Sequence, residues 1–180
     1  MADAARPPLP HEFLPPAPAL SVTSDDIDHG ERLATAHVAD IMDAGGENVS
    51  PHLQWSGAPP ETQSFAVTCF DPDAPTGSGF WHWVVVNIPA NVSELKLDAG
   101  NPASGLLPKG ALQTRTDFGK PGYGGPCPPE GLGAHRYQFT VFAVKQDALQ
   151  VTADTSAAVI GFQLFFNTIE KAVLTGKVER

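Results

Sequence analysis

Three short runs, at 64–70, 81–88 and 136–144, are dense in β-branched and aromatic residues and limit what this chain can fold into. Each has the length and composition of a buried strand, and the first two stop abruptly at proline. The connection between those two carries Pro72, Pro75, Gly77 and Gly79, which suits an antiparallel pair with a structured loop better than a crossover helix. In the third run Tyr137, Phe139, Val141 and Ala143 share one face. Shorter strand candidates lie at 19–22, at 33–38 and around Leu112. Seventeen glycines and eighteen prolines punctuate the rest, a loop-rich all-β signature.

Only the C-terminal part reads as helix. Asp154, Thr155 and Ser156 supply N-cap chemistry. Ile160, Leu164, Phe165, Thr168, Ile169 and Ala172 recur at helical spacing opposite Gln163, Asn167, Glu170 and Lys171, and Gly176 is placed to stop the helix. With 180 residues, one core suffices, so a single domain is expected over 19–180, preceded by a proline-rich arm at 1–18. The arm lacks the apolar segment of a secretory signal, and no run approaches the roughly 20 apolar residues of a membrane helix. A cytoplasmic protein is expected.

The formal charge of -9, with eleven scattered Lys and Arg residues, argues against nucleic acid as a partner. A small phosphate ligand stays open, because imidazoles and backbone N–H groups outweigh the net field at contact distance. Cys69 and Cys127 are too few for a disulfide framework and lack metal-type spacing, so both are expected to be reduced, with Cys69 in the core. Gly77-Ser78-Gly79 is not a G-x-S-x-G elbow and no H-E-x-x-H occurs. The chain is therefore expected to be no enzyme and to need no cofactor.

Asp71 and Asp73 flank Pro72, and Pro75 follows, so proline stiffens a loop that presents two carboxylates. Strict strand alternation puts His82 in a row with Val84, Val86 and Ile88, opposite Trp81, Trp83 and Val85. His135 and Tyr137 point together and meet His82 if their strands are neighbours. Taken singly, these are ordinary residues: core or loop histidines, Asx-turn aspartates and core tryptophans at 55, 81 and 83. Their joint placement at strand ends favours an anion pocket, in which a carboxylate sets the imidazole tautomer and the other ring nitrogen faces the ligand. The loop from Tyr123 through Gly125, Cys127 and Pro129 to Gly131 would form its rim. Two histidines and a carboxylate also fit a metal-dependent hydrolase, the less favoured reading. An inhibitor of a protease or kinase acting through an exposed loop is the other alternative.

Asp-Pro-Asp-Ala-Pro at 71–75, His82 between two tryptophans, Gly-Pro-Cys-Pro-Pro at 125–129 and His-Arg-Tyr at 135–137 resemble the phosphatidylethanolamine-binding protein family. The likeness is to its bacterial, Raf kinase inhibitor-like branch. Ser50-Pro51-His52-Leu53-Gln54-Trp55 and Asn87-Ile88-Pro89 fit as well, so it runs from about Ile41 to Gly176. The resemblance implies a mainly β fold, two antiparallel sheets in a β-sandwich with a few peripheral helices. It also implies a pocket for phosphate-like anions or phospholipid headgroups formed by Asp71, Asp73, Pro75, His82, Pro129, His135 and Tyr137, with Gly125 and Cys127 at the rim. Arg136 would brace it from behind, and the Ala74–Pro75 bond would be cis. Val178 stands where that branch has Tyr in a Gly-x-Tyr-x-Arg ending, and no pocket-covering extension of the animal kind follows, so a more open site is expected. A kinase, a protease and a second copy of the chain are the protein partners left in view.

Overall fold

In a computed structural model that describes residues 19–180, all three long runs are strands of one sheet. The chain order is β1 (Ser21–Thr23), β2 (Leu53–Ser56), β3 (Ser64–Asp71), β4 (Phe80–Pro89), β5 (Glu94–Leu95), β6 (Leu112–Gln113), β7 (His135–Val144), α1 (Ala157–Asn167) and β8 (Thr168–Val178). The larger sheet has the order β6-β4-β3-β7-β8 and the smaller β1-β2-β5, with every neighbouring pair antiparallel. The fold is thus mainly β, with two antiparallel sheets and a helix near the C-terminus. The arm expected at 1–18 lies outside the described residues.

The larger sheet is buried on both faces, which is why β3 and β4 read as continuous apolar runs rather than alternating ones. Toward the smaller sheet, Val67, Cys69, Trp83, Val85, Tyr137 and Phe139 pack with Leu53, Trp55 and Leu95. On the other face Ala66, Val84 and Val86 pack with Ile160 and Leu164 of α1. Trp55 and Trp83 are core residues, and Trp81 packs half-buried against the α1 side. Both cysteines are free, Cys69 within the core.

Two expected elements differ. The stretch at 33–38 is a short 3-10 turn at Thr35–His37, because its backbone bonds fold back locally, from His37 to Ala34 and from Val38 to Thr35. Only its start pairs with the sheet, Leu33 donating to the Lys177 carbonyl at 2.9 Å. The long C-terminal helix ends at Asn167 and the rest is β8. Ile160, Leu164, Thr168 and Ala172 are spaced by four, and four residues return to the same face in a helix and in a strand alike. β-branched residues, Thr168, Ile169, Val173, Thr175 and Val178, and a full antiparallel register with β7 decide for the strand. Phe165 is 80% exposed rather than inward. Gly176 lies inside β8, where a Cβ would come within 2.2 Å of Leu33, so it admits a neighbour and stops nothing. At the other end of α1, Ser156 is the N-cap but its side chain makes no capping bond.

Candidate functional site

β4 departs from strict alternation twice, and the first departure builds the site. Trp83 pairs with Cys69 and Trp81 with Phe70, so His82 is an extra residue on β4. Such a bulge swings the side chain across the sheet. Trp81 turns to the α1 side with Val84 and Val86 and His82 to the opposite face, its ring 5.1 Å from that of Tyr137, so both lie on the face opposite to the one expected. The second shift falls between Val85 and Ile88, where Asn87 takes a left-handed φ of 58° and exchanges bonds with the backbone of Leu149. It returns Ile88 to the face of Trp83 and Val85. The row His82, Val84, Val86, Ile88 expected from simple alternation is therefore broken at both ends.

β4 and β7 are not neighbours either; β3 lies between them and carries Asp71 at its end. The three side chains meet in a cavity of about 270 Å³, lined by Asp71, Pro75, His82, Cys127, Pro129, His135 and Tyr137, and also by Met42, Ala74, Thr76, Phe80, Phe118 and Pro128. Proline and aromatic walls predominate, and the volume falls just below the roughly 300–1,000 Å³ of sites for drug-sized ligands.

Each imidazole is held through Nδ1. His82 Nδ1 donates to the Gly124 carbonyl at 2.7 Å, and His135 Nδ1 to Asp71 Oδ2 at 2.8 Å. Among the described residues neither Nε2 has a hydrogen-bond partner, so Nε2 is the nitrogen each ring offers to a ligand. Burial lowers the pKa of His82 from its ordinary 6.5, the Gly124 bond and the charge of Asp71 opposing the shift. Tyr137 is wholly buried, and its hydroxyl meets no acceptor in good hydrogen-bond geometry, the Asp71 carboxylate being close enough for only a marginal bond. Burial, then the negative charge of Asp71, push its pKa well up, so it remains an O–H donor. An unpartnered buried hydroxyl on a cavity wall costs about 1–3 kcal/mol unless a guest satisfies it.

Asp71, 2% exposed, accepts from His135 through Oδ2 and from the Asp73 amide through Oδ1 at 2.8 Å. Asp73 does not line the cavity. Arg136 takes its carboxylate in a fork, Nε to Oδ2 at 2.8 Å and Nη2 to Oδ1 at 2.7 Å, and its amide adds a third bond at 2.9 Å. The guanidinium hydrogen bonds hold the Asp73 pKa down to about 2. The pair ties the 72–79 loop to β7 from outside, the bracing role expected for Arg136. No cis peptide bond occurs among the described residues, so Ala74–Pro75 is trans, and the Thr76 amide donates to the Ala74 carbonyl across Pro75 at 2.8 Å.

Gly125 does not line the cavity either. Its amide donates to Asn48 Oδ1 at 2.7 Å, and a Cβ there would lie 2.5 Å from the Ala39 nitrogen and 2.6 Å from the His37 oxygen. Close backbone approach, not ligand contact, is what requires glycine. Gly125→Ala is expected to cost about 1–3 kcal/mol by overpacking, measured by urea unfolding. Cys127 sits at the rim, where Arg180 Nη1 donates to its sulfur at 3.2 Å and Nη2 donates to the Met42 carbonyl at 3.0 Å. Val178 is buried opposite His135, so the C-terminal strand packs with valine at that position. Phe80, Phe118 and Met42 were not legible as lining residues, since each comes from a loop or strand end whose course only the folded chain reveals.

Among the described residues no group of three or more His, Cys, Asp or Glu side chains gathers as metal ligands would, and no helix is long and apolar enough to cross a membrane. The sequence pattern of phosphatidylethanolamine-binding proteins matches residues 23–179. The chain belongs to that family. YbcL of Escherichia coli is 51% identical over 163 residues, 91% of this chain and 89% of YbcL. YbhB of the same organism is 48% identical over 158 residues, 87% of this chain and 98% of YbhB. The crystal structure of YbcL, a member of the same family, superposes with a TM-score of 0.87, covering 89% of this chain and 98% of that one. The Chlamydia trachomatis homologue CT736 superposes at 0.76 with 26% identity, covering 91% and 99%.

Proposed function

We propose that the cavity binds a phosphate-like anion, free or as a phosphorylated or phospholipid headgroup, without catalysing a reaction, and that occupancy tunes a protein partner. The observation that carries this reading is that three residues lining the cavity leave polar groups without a protein partner: His82 and His135, each held only through Nδ1, and Tyr137 with its buried hydroxyl. The Tyr137 hydroxyl is a donor as it stands, and each Nε2 becomes one when its ring is protonated, so the protonated site offers three donors to the oxygens of a tetrahedral anion. A non-catalytic role is supported by the thiol at the rim, Cys127, which bonds to Arg180 rather than to either ring and so is not paired with a base.

The charge balance makes binding depend on protons. Asp71 contributes one negative charge beside the site, so an anion is favoured when both imidazoles carry protons. His82, whose pKa is lowered by burial, is neutral in the empty pocket at neutral pH. A bound anion raises that pKa, and by linkage protonation tightens the anion. Affinity for inorganic phosphate is therefore expected to rise as pH falls, by up to about tenfold per pH unit between the pKa of His82 in the bound site and its lower value in the empty one. Stability of the empty protein follows the opposite course. The folded pKa of His82 lies below its unfolded value, so the contribution of neutral His82 is present above 6.5 and lost as pH falls through the folded pKa.

Amide chemical shifts followed during titration with inorganic phosphate, phosphoethanolamine and a short-chain phosphatidylethanolamine, each from about pH 8 to about pH 5.5, test the reading. Shifts at His82, His135 and Tyr137 with all three ligands support recognition of the shared phosphate. Response to the lipid alone makes the headgroup in its lipid the ligand. No response at these residues to any of them defeats the proposal.

A further inference from the structure

If the cavity holds an oxyanion, the reading on which this inference rests, the direction of its hydrogen bonds decides which oxyanions fit. The Gly124 carbonyl has only lone pairs to offer, so the hydrogen of its 2.7 Å bond to His82 belongs to Nδ1. A neutral imidazole has one ring hydrogen. The Nε2 that neutral His82 turns to a ligand is therefore a bare lone pair, and burial favours the neutral ring. His135 differs in its partner. A positive charge on its ring is balanced in contact by the Asp71 carboxylate at 2.8 Å, whereas one on His82 faces a carbonyl.

The rest of the lining does not make up for a missing donor. Among the described residues no lysine or arginine lines the cavity, and the Thr76 hydroxyl is committed to the Gly79 carbonyl. A ligand oxygen that meets His82 Nε2 must then bring a hydrogen of its own, because two facing lone pairs repel and proline and aromatic walls leave them unsolvated. Phosphomonoesters, whose last ionisation lies at about pH 6, carry such a hydrogen in their monoanion, as does inorganic phosphate. Phosphodiesters and sulfate esters carry none, and every free oxygen on them is an acceptor.

We infer that the cavity selects oxyanions that still carry a proton, phosphomonoesters and inorganic phosphate, over phosphodiesters and sulfate esters, with His82 Nε2 accepting the P–O–H hydrogen while Tyr137 and His135 address the other oxygens. The selection belongs to the neutral ring. Once His82 takes a proton, its Nε2 donates and either class fits, so the preference narrows as pH falls through the His82 pKa. The titratable and charged groups around that ring are Asp71 from β3, His135 and Tyr137 from β7, and Asp117 and Cys127 from the loops.

The test titrates the full chain with methyl phosphate and methyl sulfate at about pH 6.5, close to the last ionisation of the phosphate ester. Monoprotonated methyl phosphate matches methyl sulfate in shape and charge and differs in having a hydrogen to give. Amide shifts of His82, His135 and Tyr137 report binding, with inorganic phosphate as the reference ligand. Methyl phosphate is expected to bind at least about tenfold more tightly than methyl sulfate, the scale for leaving a buried acceptor unmet. Phosphoethanolamine, a monoester, is expected to exceed the diester glycerophosphoethanolamine by a similar factor. Ring-nitrogen shifts of the empty protein are expected to place the His82 hydrogen on Nδ1 alone. Equal affinities within either pair while inorganic phosphate still moves the three amides, or a hydrogen on Nε2 of His82 in the empty protein, overturn the inference and leave the anion site standing. Amides that stay still with inorganic phosphate as well defeat the anion site, and this inference with it.

Discussion

His82→Ala and His135→Ala are each expected to weaken phosphate binding by about ten- to a hundred-fold, the loss of one charge-assisted hydrogen bond of about 1.5–3 kcal/mol. For a site whose three donors give micromolar to millimolar affinity, that loss removes the amide shift changes at millimolar phosphate. The two variants differ in their side effects. His82 packs edge-on against Phe118 and Tyr137, and its removal also frees the Gly124 carbonyl, so His82→Ala is expected to lower stability as well. His37 provides the control. It is equally buried, with Nδ1 bonded to the Val49 carbonyl at 2.8 Å, but it lies outside the cavity. His37→Ala is expected to lose stability and keep its phosphate response. If His82→Ala and His135→Ala both titrate like the parent, the cavity is not the anion site.

How much of this could be seen in the residues depended on which periodicities were unambiguous. The three long strands were legible because β-formers and proline stops coincide there. β8 was not, since Thr168 and Ala172 satisfy helical and strand spacing together, and only pairing with β7 separates the two. The cavity residues at 71, 75, 82, 127, 129, 135 and 137 were legible as motifs, but the way they come together was not. His82 reaches Tyr137 because one extra residue in β4 reverses its direction, and a bulge leaves no mark in a pattern of apolar and polar positions. Asp73 and Gly125 sit within the same motifs yet serve the scaffold: one is the partner of Arg136, the other a close backbone contact. Motif membership identified the neighbourhood, and hydrogen-bond accounting divided it into ligand-facing and bracing residues.

That accounting gives the second large expectation, at Asp71. Its two oxygens serve two donors, the His135 ring and the Asp73 amide, in a buried setting where neither finds water. Asp71→Ala strands both and is expected to cost about 2–6 kcal/mol in urea unfolding, about 1–3 kcal/mol for each buried donor left unsatisfied. Phosphate binding should fall with it, because His135 loses the group that fixes its tautomer. Asp71→Asn separates charge from geometry. Its single carbonyl oxygen can take the Asp73 amide, while its amide group donates to His135 Nδ1 if the ring proton moves to Nε2. Every bond is then satisfied, so the stability loss is expected to stay within about 1.5 kcal/mol. His135 becomes a neutral Nε2–H donor, which ring-nitrogen chemical shifts report directly. Phosphate should still bind this variant, because the ring then presents an Nε2–H to the ligand. An Asp71→Asn protein as unstable as Asp71→Ala, or one whose His135 keeps its proton on Nδ1, would mean that the carboxylate acts through its charge and not by setting the direction of the imidazole.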